Sequence, residues 1–235
     1  MSTFGVEHHA MLFAWIAGEA VERFGQRGED AILQGVRTYG EQRGRRMALR
    51  AQADGHTNDM VGYLIYGELD FGEAENEFVI VQKRPHLTVE ARRCSWHATW
   101  SQRAVLAYGR LYCQEIDTAI MRGFNPGFDF EVAGTMSGGA PCCTFHYRSQ
   151  GMGVWNTLRY AIGKKRVGSR ATKPWDYHTG HIYKTFKETL SEALGEANEQ
   201  AVDAAMQTFA REYGEDRAQH VRGFEDTDFD RVCFE

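Results

Sequence analysis

Cys113 and Asp117 stand four residues apart in a stretch that reads as helix, so they share a face. A thiol becomes a nucleophile only when a base or a positive field draws off its proton. A carboxylate alone disfavours the thiolate, so a histidine has to stand between the two. His97 lies on the same stretch, sixteen residues before Cys113. That is about 24 Å along an unbroken helix, out of reach unless the helix breaks. The candidates that can fold back are His8, His9, His178 and His181. Cys113 is equally the kind of small apolar side chain that fills a core. Asn125 precedes Pro126 between glycines. Its amide can stabilise an oxyanion or hold an amide-like substrate, or simply cap a turn.

The histidines fall in two clusters, His8-His9 and His178-x-x-His181. Two histidines three apart on a helix point the same way and can share a metal ion, so zinc is the alternative to a thiol. The cysteines lack CxxC spacing, and no HExxH is present. Arg43, Arg45, Arg46 and Arg50 crowd one segment. Arg43 or Arg46 can clasp a substrate carboxylate through the planar guanidinium fork, although such runs are often a solvated helix face. There is no GxGxxG, no phosphate-loop lysine and no GxSxG, which disfavours nucleotide binding and serine α/β-hydrolase chemistry.

Helical periodicity runs over 7–24, with Gly25 placed to end it, and again over 28–52. Residues 56–67 read as loop and a short element. Residues 77–82, EFVIVQ, form the clearest strand, and 86–93 alternate beside it. Residues 97–122 read as one helix. Residues 128–136 and 142–148 alternate around a turn at 137–141, the pattern of a hairpin. A basic segment, Lys164-Lys165-Arg166, lies within 151–174. Helices are expected over 176–194 and 197–220, then a loosely held acidic tail. The last helix pair echoes the first. His9 leads to Phe24-Gly25 and Tyr39-Gly40, as His181 leads to Leu194-Gly195 and Tyr213-Gly214. If the echo is a duplication, the two hairpins should pack together and bring their histidines close.

A chain of 235 residues is long enough for a substantial core. Its 27 basic and 32 acidic side chains leave a net charge of −5, which argues against nucleic acid as the main partner. No apolar run reaches the ~18 residues of a spanning helix, so no membrane partner is expected. The opening residues MSTFGVEHHAMLFAW lack a basic leader and a cleavage site. With five cysteines (94, 113, 142, 143 and 233), that predicts reduced thiols in the cytoplasm.

Several stretches together resemble the L-2-amino-thiazoline-4-carboxylate hydrolase family. They include EHHAMLF at 7–13, YGEQRGRRMALR at 39–50, LYCQEIDTAIMRGFNP at 111–126, GTMSGGAPCCTFHY at 134–147 and DYHTGHIYKT at 176–185. The chain departs from the family at Cys94-Ser95-Trp96, where members often read Cys-Pro-Trp, and at Gly139-Ala140, where they often read Gly-Asp. The resemblance implies hydrolysis of a C–N or C=N bond in a small nitrogen heterocycle, and it brings Cys113, Asp117 and Asn125 forward as site residues.

The expectation is one α+β domain over 1–235, mainly helical, with a small central antiparallel sheet and duplicated helical hairpins at the two ends. Its function is ring opening of a cyclic amidine, imide or lactam. Cys113 attacks, His9 or His181 moves the proton, Asp117 orients that histidine, and Asn125 steadies the oxyanion. His8, Arg43, Arg46 and His178 bind substrate. No cofactor is required in this scheme. A zinc-dependent amidohydrolase and a small-molecule sensor are the rival readings. The expected partners are a small heterocycle and a further copy of the chain.

Overall fold

The structure, a computed structural model, describes residues 4–70, 76–195 and 199–231. Cys233 lies outside the described residues. The elements run α1 (Val6–Phe24), α2 (Gln26–Ala53), α3 (Met60–Ile65), β1 (Glu77–Gln82), β2 (Leu87–Arg93), α4 (Ser95–Gln102) and α5 (Leu106–Phe124). After these come β3 (Phe130–Gly134), β4 (Cys143–Tyr147), α6 (Val154–Val167), α7 (Trp175–Leu194), α8 (Glu199–Tyr213) and α9 (Glu215–Arg222). This is the mainly helical α+β fold with a small antiparallel sheet that the periodicity predicts. No helix among the described residues is long and apolar enough to cross a membrane.

The chain divides into two compact units. The first takes Met1–Tyr39, Ser95–Glu115 and Pro174–Asp228, and the second takes Gly40–Cys94, Ile116–Lys173 and Phe229–Glu235. The division falls inside α2 and inside α5.

In the first unit, α1 packs against α4, α7 and α8. Phe13 sits at its centre, with the rings of Trp100, Tyr112 and Phe186 around it. The expected helix over 97–122 breaks after Gln102, where Ala104 takes a positive φ of 56°. The cause is Trp100. Its indole lies flat on α5 at Gly109, where a Cβ would come within 2.3 Å of the ring, and its N–H donates to the Ala10 carbonyl. One straight helix cannot place Trp100 against Gly109. The premise that put His97 about 24 Å from Cys113 therefore falls. The helix expected over 197–220 also breaks, at Gly214, whose φ of 99° is open to glycine and strained for other residues. This qualifies the echo between the two ends: Tyr39-Gly40 is helix interior, while Tyr213-Gly214 is a helix end.

In the second unit, the sheet has the order β1-β2-β4-β3, antiparallel throughout. The expected hairpin is β3–β4, with Phe130 opposite Tyr147. The remainder of α2 crosses the remainder of α5 at small residues. A Cβ on Gly44 would lie 2.1 Å from the Ile120 carbonyl oxygen, and one on Gly123 would lie 2.2 Å from that of Glu41. Backbone cannot yield as a side chain can. Gly44→Ala is expected to destabilise the protein by about 1–3 kcal/mol despite alanine's better helix propensity. A urea midpoint equal to wild type would show that the crossing is looser than this.

The basic segment of 151–174 is a helix, α6. Arg159 reaches Asp59, the N-cap of α3, and Gly163 meets Ile65. The tail is tied down rather than loose. Phe229 is buried, its carbonyl accepts from Arg46, and Asp230 accepts from Arg45.

Candidate active site

Each unit holds a cluster of polar groups in its interior. In the first unit, the fourth residue of α1, His9, is fully buried. The Trp96 indole N–H donates to its Nδ1 at 3.0 Å, and its Nε2 stands 3.0 Å from the Tyr39 hydroxyl. Indole N–H can only donate, so Nδ1 is the acceptor and the ring carries its proton at Nε2, facing Tyr39. The His181 ring lies 4.4 Å from that of Tyr39, tilted by 48°. His9 and His181 thus both meet Tyr39. His178 is buried on the same helix, with its ring 5.8 Å from Trp175.

His8 takes a different part. Its Nδ1 accepts from the Gly5 N–H at the start of α1, and its ring lies 4.5 Å from that of Tyr213. Burial, with Arg217 nearby, holds its pKa below the usual histidine value. Cys113 is half-buried on α5 and belongs to this unit. Among the described residues, no three His, Cys, Asp or Glu side chains gather as a metal site.

In the second unit, Arg43, Arg46 and Arg50 lie along one face of α2 and are buried. They converge on Glu68, itself fully buried. Arg46 grips it with Nε and Nη2 at 3.1 and 2.9 Å. Arg50 Nη1 is at 3.1 Å and Arg43 Nε at 3.5 Å. Burial alone would raise the Glu68 pKa, but Arg46, Arg43 and Arg50 outweigh it and hold the carboxyl below its usual value. The carboxylate expected for Arg46 is therefore supplied by the chain itself. Its guanidinium fork is spent on Glu68 and its Nη1 on the Phe229 carbonyl.

Asp117 belongs to the same unit. As a residue Asp117 is half-buried. Burial pushes its pKa up to about 6, against the pull of Arg43. The other groups coupled to it are the Tyr63 and Tyr147 hydroxyls, whose pKa values burial raises so that they stay protonated, and the Cys143 thiol. Burial pushes that thiol up to about 11, eased by the Met136 N–H on its sulfur at 3.3 Å. Cys143 is consequently a poor source of thiolate. Asn125 is a turn residue. Its Oδ1 accepts from Gly127 N–H at 3.0 Å, and its Nδ2 donates to the Asn58 carbonyl at 2.7 Å.

The scheme of a histidine between Cys113 and Asp117 draws on groups from both units: Cys113, His9 and His181 fall in the first, Asp117 in the second. Sequence reasoning missed Glu68, Tyr63, Tyr147, Tyr39 and Trp96. For Glu68 a signal existed, since three arginines at i, i+3 and i+7 on one helix face call for a buried counter-charge. A glutamate in a loop offers no periodicity by which to find it.

The family description L-2-amino-thiazoline-4-carboxylic acid hydrolase matches residues 4–147. The chain belongs to this hydrolase family. No curated protein and no solved structure matches it. The match to the hydrolase family takes in His8, His9, Arg43, Arg46, Cys113, Asp117 and Asn125. His178 and His181 lie beyond it.

Proposed function

We propose that this chain opens the ring of a small cyclic amidine that bears a carboxylate, with Asp117 as the acid–base group. What supports this reading is the Asp117 carboxyl, which burial pushes up to about 6 against the pull of buried Arg43, within the electrostatic reach of the Tyr63 and Tyr147 hydroxyls, which stay protonated. A thiazoline carboxylic acid has the matching charges, a basic N–C=N edge and a carboxylate. Arg43 holds the substrate carboxylate. Ionised Asp117 takes a proton from water as the water oxygen bonds to the amidine carbon. Tyr63 or Tyr147 donates to the new oxygen. Asp117 then returns its proton to the ring nitrogen as the C–N bond breaks, so one water is added in all. Arg46 and Glu68 fix Arg43 in place.

The covalent route is the second reading. There the Cys113 thiol gives its proton to His9 or His181 as Sγ bonds to the amidine carbon, that histidine passes the proton to the ring nitrogen as the C–N bond breaks, and water then hydrolyses the covalent intermediate to release the product.

The test is turnover of cyclic amidines with and without a carboxylate, alongside imides and lactams, by wild type and Cys113→Ala, with zinc measured on the same samples. Ring opening of the carboxylated amidine that survives Cys113→Ala supports Asp117 chemistry. Loss in that variant, with a substrate adduct on the wild-type thiol, moves the reaction to Cys113. Activity that tracks zinc moves it to the histidines, and tight binding without product leaves a sensor.

A further inference from the structure

Helix α6 wears its apolar side chains outward. Arg159, Gly163 and Val167 face the second unit's interior or its polar caps. Val154, Trp155, Leu158 and Ile162 fall within about 100° of arc on the other side. They are 74%, 81%, 49% and 58% exposed. Water strongly disfavours a contiguous row of this kind, and such rows mark contact surfaces.

The charges around the row say what it contacts. From Val132 to Trp175 the chain carries seven Lys and Arg (148, 159, 164, 165, 166, 170 and 173) and no Asp or Glu. With 27 basic and 32 acidic side chains in all, the remaining residues hold 20 and 32, a balance of −12 against +7. Arg148, Arg159 and Arg170 have carboxylate partners. Lys165 and Arg166, at the C-terminal end of the row, form no ion pair among the described residues. At its other end the Arg84 guanidinium lies against Gly153, beside Val154 and Trp155. An apolar ridge about 12 Å long, from Val154 to Ile162, therefore carries cations at both ends.

We infer that α6 is a peripheral docking face for an anionic lipid surface. The helix lies in the plane of the bilayer, with Trp155, Leu158 and Ile162 dipping below the headgroups and Arg84, Lys165 and Arg166 on the lipid phosphates. This is the arrangement of interfacial amphipathic helices, and it needs no spanning segment. A second copy of the chain docked face to face fits less well, because the matching surface is equally cationic.

The test is cosedimentation of the full chain with vesicles of phosphatidylcholine alone and of phosphatidylcholine mixed with phosphatidylglycerol, at low and high salt. Trp155→Ala and the pair Lys165→Glu, Arg166→Glu are compared with wild type, with folding checked by circular dichroism. Wild type is expected to bind the anionic vesicles and to release at high salt. Either variant should bind about tenfold less or weaker, with its melting temperature unchanged. Equal binding to both vesicle types, or none to either, overturns the proposal. A dimer in sedimentation velocity that Trp155→Ala dissolves, without lipid binding, would assign the ridge to a second copy. Capture of an acidic protein without vesicle binding would assign it to such a partner.

Discussion

Asp117→Asn is expected to lower turnover by about 10²–10⁴-fold while making the protein more stable at neutral pH. The two effects have one cause. Burial raises the carboxyl from 3.8 to about 6 in the folded chain, with Arg43 pulling the other way. Between these values the folded state holds a proton that the unfolded state has released. Stability therefore falls as pH rises from 3.8 to about 6, and stays at the lower level above that. The full linkage is about 3 kcal/mol, discounted to about 2 kcal/mol because the group keeps some access to solvent. Asparagine has the same shape and no charge to desolvate. Urea unfolding should place the variant above wild type at pH 7.5 and level with it near pH 3.5. The turnover of wild type should fall as pH drops below about 6, since only the ionised carboxylate can take a proton from water. A variant that loses stability at pH 7.5 would mean that the charge is better compensated than Arg43 alone explains. A variant that keeps turnover would remove Asp117 from the chemistry.

Glu68→Gln is expected to be the most damaging single isosteric change, costing about 3–5 kcal/mol. Arg46, Arg43 and Arg50 would be left buried around an amide that cannot balance them. For a chain of this size the melting temperature should drop by about 10 °C or more. Arg46→Met should cost less, because Glu68 then still has two guanidiniums. The pH dependence carries a sign. Burial pushes Glu68 up, but Arg46, Arg43 and Arg50 hold it below 4.5, so its contribution is complete above 4.5 and is lost as pH falls through the folded value. Wild type and variant should converge in acid. A loss under about 1 kcal/mol at neutral pH would mean that water already screens the cluster.

The long helices were legible because their apolar residues recur at helical spacing, and the strands because their residues are β-branched and aromatic, even in β1, whose Phe78, Ile80 and Val81 are exposed. The hairpin of β3 and β4 is a clear case. The breaks at Ala104 and Gly214 were not legible. One is set by the Trp100 ring lying on Gly109, a contact that no local pattern announces. The other turns on whether a lone glycine is tolerated inside a helix or ends it. Helix α6 was hidden for the opposite reason, since its apolar face points to solvent and does not read as core. Among candidate residues, His9 and His181 both meet Tyr39, which is what a duplication would give, although the helix end at Gly214 qualifies the echo. Asn125 as a turn residue was one of the two readings its glycine-flanked position offered, whereas Arg46 as the clasp of Glu68 depended on a loop carboxylate that periodicity does not locate.

The interleaving of the two units sets the order in which the chain can become protected during synthesis. Helix α1 packs on α7 and α8, and Tyr213 donates to Glu7 at a sequence separation of 206 residues. Made before every other described helix, α1 is thus among the last of them to be covered. Its row of Phe13, Ile16 and Ala17 must wait, without cover from those two helices, while most of the protein is made. Contacts of such long sequence separation slow folding and prolong the lifetime of sticky intermediates. Nascent chains stalled before residue 174 should consequently engage chaperones through α1, and release from them should coincide with the emergence of α8.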